Sequence, residues 1–267
     1  MAGALAQRRA VVTGGAGGMG RAHALRLARL GADVAILDLD LDVAKQWNEE
    51  LTAPTVAEEI EALGVESMAI EVDITDAAAT EAAIASITSE WSAIDILVNN
   101  AGGAITPYDR STATTTSDED VHRVVDLNLV GTVNMCRAAA PHMRRPGGSI
   151  INIATIGVDV EAGQGQLALY AAAKAGVVRY TRSLAVELGP EGIRANCVSP
   201  GLIMTARIQA LAASRPGAGG DDQSGTIPLR RTGTPDDVAA VVEFLAGDLA
   251  GYVTGENIRA GGGIHLV

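Results

Sequence analysis

The chain has 267 residues, 48% of them hydrophobic, and carries 20 basic against 32 acidic side chains for a net charge of −12. That apolar content excludes a disordered chain, and the acidic excess argues against nucleic acid or an anionic membrane as a partner. No apolar run approaches the ~18 residues of a membrane span, and charge follows apolar residues at the N-terminus, the wrong order for a secretion signal. A cytoplasmic protein folded as one α/β domain over 1–267 is therefore expected. Two cysteines, Cys136 and Cys197, and four scattered histidines, His23, His122, His142 and His265, show no ligand spacing, so no metal is expected.

Short β-rich runs alternate with longer helical ones. Arg9–Thr13 reads as a buried strand, and Met19–Leu30 carries apolar residues at helical spacing. Further strands are expected at Asp33–Leu37, Glu66–Val72, Ile94–Val98, Ser149–Ile153 and Arg194–Val198, with a last one near the C-terminus. Helices are expected over 55–63, 76–90, 118–144, 168–188 and 235–246, with Ser117 and Asp120 capping the third of these. This alternation predicts a doubly wound parallel sheet of about seven strands with helices on both faces. Two stretches break the pattern. Leu39–Pro54 is long for a connection and is expected to hold an extra helical turn. Residues 206–226 follow the sixth strand, at the edge where ligands bind, and are expected to form a substrate lid.

Thr13-Gly-Gly-Ala-Gly-Gly-Met-Gly20 separates the first strand from the first helix. Glycines there let backbone N–H groups approach a pyrophosphate at a helix N-terminus. Gly15, Gly17 and Gly20 fit G-x-G-x-x-G; Gly14, Gly18 and Gly20 fit T-G-x-x-x-G-x-G. Asp38 ends the second strand, where a carboxylate accepts both ribose hydroxyls of NAD and repels the 2′-phosphate of NADP. No Arg or Lys stands at Gly15 or Leu39 to offset it, so NAD is expected over NADP.

Only two of the basic residues are lysines, Lys45 and Lys174, and Lys174 lies one helical turn after Tyr170. A nearby ammonium favours a phenolate and tunes tyrosine towards base chemistry. A half-buried tyrosine beside a solvated lysine has the same spacing.

Here the sequence resembles the short-chain dehydrogenase/reductase family, nearly end to end. Thr13-Gly14-x-x-x-Gly18-x-Gly20 is similar to its cofactor loop, Asn99-Asn100-Ala101-Gly102 to its N-N-A-G, Asn128 to its helix asparagine, Tyr170 and Lys174 to Y-x-x-x-K, and Pro200-Gly201-Leu-Ile-Met-Thr205 to its P-G segment. The resemblance implies a single-domain Rossmann fold and an NAD-dependent oxidoreductase interconverting a secondary alcohol and a ketone. It implies cofactor contacts from Gly14, Gly18, Met19, Gly20, Asp38, Asp73 with Ile74 at the adenine, Asn100, Ala101, Gly102, Tyr170, Lys174, Pro200, Gly201, Ile203 and Thr205. It makes Tyr170 the general acid–base, Lys174 its pKa-lowering partner, and Asn128 the holder of a relay water.

One position departs from the family. Its usual serine is replaced by Thr155, which stands 15 residues before Tyr170, further than that serine does. The threonine keeps the hydroxyl and adds a methyl that narrows its rotamers. Two other readings share the motifs: a catalytically silent NAD-binding regulatory relative, and an isomerase or lyase on the same fold. The resemblance also implies a homotetramer. Arg207, Arg215, Arg230 and Arg231 lie near the lid, but no basic cluster is dedicated to a phosphate, which favours a small uncharged alcohol.

Overall fold

The computed structural model describes residues 3–161, 165–214 and 223–266. Seven parallel strands form one sheet: β1 (Arg9–Thr13), β2 (Asp33–Asp38), β3 (Ser67–Glu71), β4 (Ile96–Asn99), β5 (Ser149–Ile153), β6 (Arg194–Pro200) and β7 (Asn257–Ala260). Their order is β3-β2-β1-β4-β5-β6-β7. The order reverses between β1 and β4, and the register sets Thr13 beside Asn99, and Asn99 beside Asn152, at the carboxyl edge. A reversal of this kind opens a crevice at that edge.

The helices are α1 (Gly18–Arg29), α2 (Val43–Gln46), α3 (Val56–Glu61), α4 (Ala77–Glu90), α5 (Asp118–Val125), α6 (Gly131–Ala139), α7 (Ala168–Leu188), α8 (Ala206–Ser214) and α9 (Pro235–Ala246). Five start at an N-cap whose side chain accepts from the first turn: Thr55 for α3, Asp76 for α4, Ser117 for α5, Thr205 for α8 and Thr234 for α9. The extra turn expected within 39–54 is α2. The expected long helix 118–144 is divided: a π-helical turn, Asp126–Val130, joins α5 to α6, and a 3₁₀ turn, Ala140–His142, follows. The segment expected to be a lid, 206–226, begins as α8 and ends in a 3₁₀ turn, Gln223–Thr226; its 215–222 part lies outside the described residues.

Each sheet face carries its own core. Val12, Ile36, Val98, Leu27 and Val242 pack on the α1–α9 side, and Leu37, Leu97, Ile150, Ile87 and Met135 on the α4–α6 side. Each such side chain stabilises by about 1.5–3 kcal/mol, enough to hold the edge loops at fixed separations. Among the described residues no helix is long and apolar enough to cross a membrane.

Candidate active site

The glycine loop leaves β1 in a shape that demands glycine. Gly14 and Gly18 have φ of 62° and 56°. A Cβ on Gly20 would stand 1.8 Å from Gly14 O. Asn100 pins the loop through Nδ2, which donates to Thr13 O (3.1 Å) and Gly14 O (3.2 Å). Thr13 Oγ1 accepts from the N–H groups of Asn100 and Ala101, each at 3.0 Å. Asp38 Oδ2 accepts from Ala16 N at 3.0 Å and Oδ1 from Leu39 N at 2.9 Å, and burial pushes its carboxyl above the usual range.

At the adenine end of the expected site, Asp73 Oδ1 accepts from Thr75 N (2.8 Å) and Thr75 Oγ1 (2.7 Å), and Ile74 is buried behind it. Opposite, Pro200 ends β6, Gly201 N donates to Ala260 O at 3.0 Å, and Ile203 is buried. Thr205 Oγ1 accepts from Ile208 N at 3.3 Å. Its methyl lies 3.8 Å from where a Cβ on Gly18 would be, so the two loops face each other.

Across the crevice, the Thr155 side chain stands beside the Tyr170 phenol and pulls its pKa down. Thr155 follows β5 and accepts from Gly157 N at 3.2 Å, which orients its hydroxyl. Lys174 is 2% exposed, excluding the solvated alternative, and its Nζ donates to Ile153 O at 2.8 Å. Burial lowers its pKa to about 8.

Two expected roles differ. The Lys174 ammonium is turned to Ile153 O rather than to the Tyr170 phenol. Burial raises the pKa of that phenol above its usual range, and the Thr155 side chain and the Arg207 charge pull the other way. Nor is the Asn128 side chain free to hold a water. Fully buried in the π-helical turn, it accepts from Gly103 N at 2.9 Å and donates to Gly103 O at 3.1 Å and Val124 O at 3.0 Å. It clamps the loop after Gly102. That loop runs so close that a Cβ on Gly102 would lie 2.7 Å from Asn128 Oδ1 and 3.1 Å from Lys174 Nζ.

These elements occur in one order on one sheet edge. A family model described as enoyl-(acyl carrier protein) reductase covers residues 14–265. The cyclohexanol dehydrogenase of Rhodococcus sp. (strain TK6) is 41% identical over 260 residues, spanning 96% of this chain and 95% of that one. This chain belongs to the short-chain dehydrogenase/reductase family. The 3-oxoacyl-(acyl-carrier-protein) reductase of Staphylococcus aureus is 37% identical over 258 residues, covering 96% and 98%. The structure of a short-chain type dehydrogenase/reductase from Mycobacterium marinum superposes with a TM-score of 0.84 at 31% identity, covering 97% and 96%. As a short-chain dehydrogenase/reductase the protein is an oxidoreductase that binds a nicotinamide cofactor.

The residues present fit such a dinucleotide. The first turn of α1 presents N–H groups without intrahelical partners. Its affinity for anions is visible in Glu49, whose Oε1 accepts from Gly18 N at 2.7 Å. Asn100 Oδ1 is buried at the crevice without a partner. Among the described residues no cluster of His, Cys, Asp and Glu could hold a metal ion.

Four contributors escaped the motif reading. Glu49 is held by Arg21, which also pairs with Glu59. Asn134 Nδ2 donates to Ile74 O at 3.0 Å and Thr75 O at 3.3 Å, fixing the loop of Asp73. Arg207 brings positive charge to Tyr170. Ser111 bonds the N-terminus of α7. Each acts across tens of residues, so local spacing carries no signal for it; only the Arg21 and Glu59 charges on neighbouring helices offered a hint.

Proposed function

We propose that the protein is an NAD-dependent dehydrogenase that interconverts a small uncharged secondary alcohol and its ketone. The observation that carries this reading is Thr155 beside Tyr170 with Lys174 buried one helical turn on, its ammonium fixed on Ile153 O and close against Gly102. Binding or regulation alone requires no phenol paired in this way. An oxidised nicotinamide held at the glycine loop would supply the hydride acceptor for the carbinol carbon. Tyr170 Oη, as phenolate, receives the hydroxyl proton of the alcohol, and returns it in ketone reduction. The Thr155 hydroxyl donates to the substrate oxygen as its charge grows. Lys174, fixed by Ile153 O, holds a positive charge beneath the site for the nicotinamide ribose. With the Asn128 amide committed to Gly103, a water at that turn would be held by main-chain oxygens.

Asp38, with Gly15 and Leu39 in place of basic residues, supports NAD. A small pocket lies beside Tyr170. Its walls include Ile105, Val124 and Leu169, which suits an apolar substrate. The relatives' names agree with carbonyl–alcohol chemistry and leave the substrate open.

The test is NADH formation across a panel of secondary alcohols, with NAD and NADP in parallel. Turnover is expected with NAD and to rise into the alkaline range, because burial lifts the Tyr170 phenol and the phenolate is the oxidising form. Turnover with NADP alone, or none with any alcohol while NADH binds, would refute the reading.

A further inference from the structure

Helix α7 carries Tyr170 in its first turn, yet has no capping side chain of its own. The cap comes from Ser111, 56 residues upstream. Leu167 N donates to Ser111 Oγ at 3.1 Å and Ala168 N donates to Ser111 O at 3.1 Å. Ser111 is 3% exposed, and its hydroxyl donates to Tyr108 O at 2.8 Å. The loop before α5 is thereby tied to the helix end just ahead of the phenol.

This tie coincides with unusual backbone. Leu167 has φ 61° and ψ 19°, a left-handed conformation that L residues rarely adopt. The other described non-glycine residues with positive φ, Gln7, Asn48 and Arg230, are exposed and polar. Leu167 alone among them is a partly buried branched aliphatic residue, and it lines the pocket beside Tyr170. Strained conformations persist where the surroundings over-determine them, and they cluster at ligand sites. A glycine would take this backbone without strain; leucine takes it with a side chain in the pocket wall.

We propose that Leu167, held left-handed by Ser111, sets the upper size of the alcohol admitted to Tyr170 and so selects compact apolar rings or short chains. Leu167 is the specificity-determining side chain and Ser111 its positioning residue. The proposal rests on the alcohol dehydrogenase reading above.

The experiment measures kcat and KM for cyclohexanol and for 4-tert-butylcyclohexanol in the wild type, Leu167→Gly and Ser111→Ala, together with Tm and the Kd for NADH. Leu167→Gly is expected to fold, since glycine suits φ 61°, and to raise the bulky-to-small ratio of kcat/KM by about tenfold or more, the scale of one or two methylenes in a pocket. Ser111→Ala is expected to move the same ratio the same way, with the change carried by KM and with NADH affinity retained. A Leu167→Gly ratio within about twofold of the wild type, in an enzyme that still oxidises cyclohexanol, overturns the proposal and leaves the dehydrogenase reading intact. Should the Gly variant fail to fold, an unchanged ratio in Ser111→Ala overturns it equally. Failure of the wild type to oxidise any alcohol, with NADH still bound, removes the parent reading and the proposal with it.

Discussion

The glycine-loop side of the crevice takes its shape from backbone sterics, with the Asn100 and Asp38 side chains pinning it in place. Gly14 N donates to Leu37 O at 2.7 Å, Gly15 N to the same oxygen at 3.3 Å, and a single added Cβ at Gly20 would strike main chain. The Tyr170 side is shaped by side chains: Ser111 on Leu167, Asn128 on Gly103, Lys174 on Ile153 O, and Thr155 on Tyr170. Where backbone sterics set the geometry, one residue type fits and the motif is narrow. Where side chains set it, a hydroxyl or amide can arrive from any element, so Thr155 can stand for a serine and the surrounding loops can vary. Cofactor binding and substrate chemistry should therefore be separable by mutation.

The sharpest break is Tyr170→Phe. It is expected to lower kcat by about 10²–10⁴-fold, the usual worth of a general acid–base, while titration of NADH fluorescence gives an unchanged Kd. Loss of NADH binding would mean that the two sides are not independent.

Asn128→Ala comes next. It leaves the half-buried N–H and C=O of Gly103 without their amide partner, a loss of about 1 kcal/mol. The damage is expected in Tm and in KM for the alcohol, with the NADH Kd again retained; thermal melts and steady-state kinetics check it.

The smallest effect on activity lies on the glycine-loop side. His23 in α1 is fully buried, neither ring nitrogen has a partner, and burial lowers its pKa from 6.5 to about 3. Between those values the unfolded chain binds a proton that the folded chain does not, so stability falls as pH falls from 6.5 towards 3. His23→Leu removes that proton uptake and is expected to recover about 2 kcal/mol at pH 5 relative to pH 8. Tm followed against pH reads this as a flattened acid limb, with kcat unchanged.

Much of the fold was legible because helix and strand signals here are local. Residues 168–188 and 235–246 read as helices and are α7 and α9. Ser149–Ile153 reads as a strand and is β5. The helix expected over 118–144 was not legible in detail. Its apolar spacing is helical throughout, yet Asn128 reaches back to Val124 O and out to Gly103, and the chain passes through a π-helical turn there. That cause lies in a loop 25 residues away. The candidate site shows the same division: Tyr170, Lys174 and the glycines are found by spacing and Asn128 by its likeness to the family pattern, whereas Ser111, Asn134, Glu49 and Arg207 join them only through long-range contacts.

The sequence by itself determined the doubly wound sheet, the glycine turn and the order of the family's motifs, because hydrophobic period and steric necessity are written within a few residues. Tertiary structure decided the electrostatics of the pair at the centre. Lys174 and Tyr170 share a helix face, but burial raises the phenol and directs the ammonium to Ile153 O. It also decided the conformation of Leu167, which a buried serine 56 residues away holds against its own backbone preference. Desolvation and long-range hydrogen bonds exist only once the chain has closed on itself, and spacing along the sequence does not encode them.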